Sequence, residues 1–195
     1  MKIFIIITVF FVVLAGVIVL FLSQHGLFHS IDIKEQSQGP FILVYEKNTG
    51  DYKLAGSLMD RVYYDLKDKY NIETTKGFGI YYDNPEKVDR NSLRCIAGCI
   101  VETEKINDFG FLKEKYKTAE LPASNAVTVS FPYNGKISVL LGVFKVYPKL
   151  SSYIEENKYP ENPVMEIYDQ PAGIIKYIAF NNIPGSFFED VWNNN

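Results

Sequence analysis

GFGIYYDNP occupies residues 77–85, and PVMEIYDQP occupies residues 163–171. Each passes from apolar β-formers through Tyr-Asp and a carboxamide to a proline, the composition of a strand that ends in a turn. The two copies stand about 86 residues apart, and their surroundings repeat as well. Ahead of the first lies FILVYEKNTGDY (41–52), an apolar β-rich run closed by Asn-Thr-Gly. Leu54, Leu58, Val62 and Leu66 then recur every fourth residue, with Met59 and Tyr63 beside them. That is one apolar helix face, with Asp60, Lys67 and Asp68 off it. CIAGCIV (95–101) follows the turn as a run of β-branched and small residues.

The second half keeps this order. AVTVSFPYNG (126–135) predicts a strand, and Ile137, Leu140, Leu141, Phe144, Leu150 and Ile154 predict a helix bent or interrupted at Pro148. The second turn copy comes next, then IIKYIAF (174–180) as a last strand. Gly50 and Gly135, Gly56 and Gly142, and Pro85 and Pro171 keep nearly one offset. The chain therefore reads as strand–helix–strand–strand performed twice, over about 41–102 and 123–180. The connector 103–122 offers a short helix at Phe109, Phe111 and Leu112 and an extra strand from Tyr116. Each long helix has one apolar stripe to bury, which predicts an α+β fold: an antiparallel sheet with both helices on one face. The other face is then solvated, or concave and open to a ligand.

Ile3 to Leu22 is an uncharged run of about 20 residues, enough for a helix to cross about 30 Å of hydrocarbon. It exceeds the apolar core of about 7–15 residues in a signal peptide, and Leu22-Ser23-Gln24 is a poor cleavage site. The expected layout is an anchor at 1–23 that contacts the bilayer through residues 3–22, a polar linker at 24–40, a domain at 41–182 and a tail at 183–195. Lys2 is the one lysine ahead of the span and Lys34 the next after it, a charge pattern that points toward a lumenal domain. The cysteines point the other way. On a strand, Cys95 and Cys99 stand about 13 Å apart, beyond the roughly 7 Å limit of a disulfide, and two free thiols suit a reducing compartment.

A net charge of −3 with no basic run gives no electrostatic case for nucleic acid. The sequence shows no Ser-His-Asp arrangement, no metal-ligand spacing and no phosphate loop; Gly77-Phe-Gly79 precedes a strand instead of opening a helix. His25 and His29 both fall in the linker. The expectation is a non-enzyme without cofactor or metal. Glu166 is the carboxylate best placed for binding. In an alternating strand it shares a face with Tyr168, opposite Met165 and Ile167. A desolvated glutamate among tyrosines suits a cationic or hydrogen-bonding ligand, and Tyr82 is the third candidate for that site. Tyr81, Phe131 and Tyr133 are read as core aromatics or as lining. In the tail, Phe188 and Val191 have the aromatic-x-x-aliphatic spacing of peptides that add a strand to ubiquitin-like autophagy proteins.

GIYYDNP followed by RCIAGCIV resembles the DNA gyrase inhibitor-like (GyrI-like) effector-binding fold, itself a tandem strand–helix–strand–strand pair. YYDNP, the FPY of SFPYNG, VYPKLSSYIEE and MEIYDQP, in this order behind an N-terminal span, are similar to the testis-expressed protein 264 family. That resemblance covers roughly residues 1–180. It implies a single-pass endoplasmic-reticulum protein with a cytosolic domain, acting as a receptor that delivers pieces of that membrane to autophagosomes. It also implies recruitment of DNA-repair partners. In that family the autophagy-binding peptide lies in a long acidic tail, and Phe188 and Val191 do not match its position. The wider GyrI-like group implies the alternative, a module whose buried glutamate reads small cationic ligands or that hydrolyses small molecules.

Overall fold

Helix α1 (Lys2–Gln24) is long and apolar enough to cross a membrane, and none of its residues is buried against the rest of the chain. The computed structural model describes residues 1–102 and 109–194, with the backbone alone for Phe109. After α1 come β1 (Ile33–Gln38), β2 (Phe41–Thr49), α2 (Ala55–Tyr70), β3 (Lys76–Tyr81) and β4 (Arg94–Val101). The connector supplies α3 (Phe109–Lys115) and β5 (Lys117–Leu121), as expected; its residues 103–108 lie outside the described residues. The second unit is β6 (Ser124–Pro132), α4 (Lys136–Glu156), β7 (Val164–Asp169) and β8 (Ile174–Phe180), and α5 (Gly185–Asn193) closes the chain.

The duplication is real in three dimensions. All eight strands form one antiparallel sheet in the order β1-β6-β8-β7-β3-β4-β2-β5. The two strands that carry the repeated turns, β3 and β7, pair at its centre from Lys76↔Asp169 to Tyr81↔Val164. Both long helices lie on one face. α2 buries Ala55, Leu58, Val62 and Leu66 against β4 and β2, and α4 covers β6 and β8. Asn71, in the left-handed conformation, stops α2 and donates back to the carbonyl of Lys67. α4 runs unbroken through Pro148, at the cost of one helix hydrogen bond in that turn.

Two expectations about the flanks are corrected. Residues 24–40 are not a free linker: β1 pairs along β6 from Ile33↔Val129 to Gln38↔Ser124. The polar composition that suggested a linker is that of an edge strand with a wet face. Just ahead of it, Lys145 Nζ donates to the carbonyls of Gly26 (3.1 Å), Leu27 (2.5 Å) and His29 (2.8 Å). Gly26 has a positive φ of 98°, and a Cβ there would meet the Phe131 ring at 2.5 Å, so only glycine passes.

The tail is corrected too. Residues 185–193 form α5, which packs on the second face of the sheet and buries Phe188 and Val191 completely or nearly so. They join Leu43, Tyr45, Phe78, Ile80, Ile96, Met165 and Ile167 in one apolar cluster. The aromatic-x-x-aliphatic spacing of a docking peptide is also the i, i+3 spacing of one helix face, and here burial decides between them. Tyr82 donates to the Phe188 carbonyl and Tyr45 to that of Val191, both at 3.0 Å. Arg94 reaches Glu189 at 3.0 Å and Asp83 at 2.9 Å, with its guanidinium 5.5 Å from the Tyr82 ring and 5.8 Å from that of Trp192. The second face is therefore closed by the chain's own helix.

Phe188→Ala removes a fully buried aromatic from this cluster and is expected to cost about 3–5 kcal/mol of unfolding free energy. Urea denaturation checks this; a loss under about 1 kcal/mol would show that α5 does not hold the core.

Candidate functional site

The site lies under the helices, at the β3–β7 junction. Strand alternation sends Met165 and Ile167 toward α5 and Glu166 and Tyr168 toward the helices. The alternation is the one read from the sequence, but the glutamate lies on the helix face and not on the opposite face expected to be open to a ligand. Glu166 is only 2% exposed. Its Oε1 accepts from Tyr147 of α4 at 2.8 Å, and its Oε2 accepts from Tyr168. Opposite it in the ladder stands Gly79, and the Tyr81 ring folds back over that glycine, 2.9 Å from where a Cβ would sit. Tyr177 of β8 completes the ring. Its hydroxyl is buried with no hydrogen-bond partner among the described residues, and a Cβ on Gly142 of α4 would come within 2.2 Å of it. Two glycines thus make room for two tyrosines around one carboxylate.

Burial raises the Glu166 carboxyl above the usual carboxylate range, and the hydrogen bonds from Tyr168 and Tyr147 offset part of that. The four phenols are pushed up as well, first by burial and then, for Tyr81, Tyr147 and Tyr168 and again Tyr177, by the negative charge of Glu166. The carboxylate's hydrogen-bond donors are phenols and not a cation. The result is an anionic, hydrogen-bonding environment enclosed by aromatic rings.

Of the three residues expected at the site, Glu166 and Tyr168 are together. Tyr82 is not: it lies on the opposite face with α5, and Tyr81 takes the place by the glutamate. Matching YYDNP to IYDQP sets Tyr82 against Tyr168, but the strands place Tyr81 and Tyr168 on one face. The repeats are out of step by one residue there, and one residue exchanges the faces of a strand. Tyr147 and Tyr177 carried no signal beyond being aromatic. The cue for Tyr147 is its neighbour Pro148, and for Tyr177 its alternation with Ile175 and Ala179.

The sequence pattern of the GyrI-like small molecule binding domain matches residues 29–174. The chain belongs to the GyrI-like family. This GyrI-like chain is 36% identical over 101 residues to the testis-expressed protein 264 homolog of Mus musculus and 33% identical over 102 residues to testis-expressed protein 264 of Homo sapiens. Each match covers 49% of this chain, and the chain spans about a third of the length of these relatives (33% and 32%). The crystal structure of the EcmrR C-terminal domain superposes with a TM-score of 0.53 at 20% identity, over 77% of this chain and 96% of that one. EcmrR in its complex with DNA gives 0.54 at 18% identity, over 77% and 57%. These two bear out the fold.

A carboxyl whose folded-state pKa is raised stabilises the fold in full only below its unfolded value, about 4.3, and that stability is lost as pH rises through the folded value. Glu166→Gln keeps the site neutral at every pH. The variant is expected to melt higher than the wild type near neutral pH, with the advantage vanishing below about pH 4. Melting curves across pH check this; a lower Tm for the variant at neutral pH would show that the carboxylate is a stabilising partner.

Proposed function

We propose that the chain is a membrane-tethered receptor for a small organic cation, bound by Glu166 within the tyrosine ring. One observation carries this reading: among the described residues, a nearly fully buried carboxylate is met by neutral donors only. Burying an anion without a counter-charge is costly, and a bound cation relieves that cost where a neutral ligand does not. The rings add favourable faces for a positive charge. The family's character as a small molecule binding domain supports the same reading. Tyr147 is the movable wall. It is only partly buried, it reaches Glu166 from α4, and Pro148 beside it already lacks a helix hydrogen bond.

A second reading is supported by the identity to testis-expressed protein 264 together with α1. In it the chain is an adaptor in the endoplasmic-reticulum membrane, its domain facing the cytosol, that passes membrane to autophagosomes. The buried free thiols of Cys95 and Cys99 fit a cytosolic domain. With Phe188 and Val191 inside the core, a ubiquitin-like autophagy protein is met by another surface, or only after α5 undocks.

The cation reading is tested by isothermal titration of the detergent-solubilised full chain with tetraphenylphosphonium. Binding is expected at neutral pH, at least about tenfold weaker in Glu166→Gln, and weaker as pH falls and Glu166 takes up a proton. Equal affinity in the wild type and the variant would reject Glu166 as the anionic partner.

A further inference from the structure

α2 and α4 hold equivalent places in the two units, yet their outer faces differ. α2 exposes Asp60, Arg61, Lys67 and Asp68. α4 exposes Leu140 (57%), Val143 (40%) and Phe144 (69%), an apolar strip at i, i+3, i+4 spacing. From Lys136 to Lys149 this helix has three lysines and no acidic residue; Glu155 and Glu156 come only in its last turn. Exposed apolar side chains on a helix that carries lysines and no acid along this stretch are the composition of a segment that lies in a membrane interface.

The position of the strip supports the same partner. Val143 and Phe144 directly precede Lys145, whose ammonium group holds the carbonyls of Gly26, Leu27 and His29. Those residues are the first beyond α1. Asn134, just ahead of α4, donates to the carbonyl of Gln24 at 2.5 Å. The strip is thus fastened by four hydrogen bonds to the place where α1 leaves hydrocarbon. Phe28, in the fastened segment, is 71% exposed. An aromatic residue this open, four residues past a span, lies within reach of the headgroup layer.

We propose that Leu140, Val143 and Phe144 of α4, with Phe28, rest in the bilayer leaflet that α1 enters, while Lys136, one turn ahead on the same side of the helix, reaches its anionic headgroups. The proposal rests on α1 being a membrane span. It makes the domain a body laid against the lipid along α4.

The test places nitroxide labels on the full chain in nanodiscs containing phosphatidylserine. Phe144→Cys and Phe28→Cys report the contact, Tyr64→Cys on α2 is the aqueous reference and Val12→Cys within α1 is the hydrocarbon reference. Cys95 and Cys99 are buried, with thiols pushed up to about 11, and do not compete for the label. The labels at 144 and 28 are expected to collide with oxygen, relative to a water-soluble nickel chelate, several-fold more than the label at 64. A ratio at 144 and 28 equal to that at 64, with 12 in hydrocarbon, would overturn the contact and leave the span standing. A label at 12 that reads as aqueous would overturn span and contact together. Dipolar broadening between labels at 144 would assign the strip to a second copy of the chain and overturn the lipid contact.

Discussion

Everything in this fold depends on the pairing of β3 with β7. Each repeat is a three-stranded piece of sheet with one helix, too small to bury a core of its own. Six ladder positions at the centre convert two such pieces into one continuous sheet, and both faces then carry enough apolar surface to be covered. The constraint is tight, because the junction must seat Gly79 against Glu166. That pair lets an aromatic ring lie flat over the ladder beside a buried acid.

The two faces of the junction are finished in opposite ways. On one, Phe78, Ile80, Met165 and Ile167 meet Phe188 and Val191 in a dry apolar contact that α5 completes. On the other, the same strands place tyrosines and a buried carboxylate on the helix side, where Tyr147 of α4 reaches Glu166. The face left open in a bare two-helix layout is shut by α5, and the face beneath the helices is where polarity was retained. Arg94 links the two, since its ion pair with Asp83 fixes the turn that follows Tyr81 while its other arm holds Glu189 of α5.

The tandem architecture was legible because hydrophobic period, turn chemistry and glycine spacing all repeat at one offset. The alternation of Glu166 and Tyr168 against Met165 and Ile167 was legible for the same local reason. What the pattern concealed was parity and context. A motif comparison tolerates a one-residue slip, but a strand does not, so Tyr82 was exchanged for Tyr81. A polar edge strand and a polar linker have the same composition, and residues 33–38 differ from a linker only by finding β6. Phe188 and Val191 show the limit of spacing as evidence, since a helix face and an extended motif share it. Tyr147 was out of reach because its role comes from the packing of α4 on β6 and β8, which brings its hydroxyl to Glu166.

The clamp formed by Lys145 has a mechanical consequence. With Gly26, Leu27 and His29 fastened to α4, and β1 stitched into the sheet soon after, no free swivel separates the span from the domain. A 23-residue helix adjusts to a thinner or thicker bilayer by changing its tilt. With so short a connection, a change in the direction of α1 would be carried straight into α4 and the sheet.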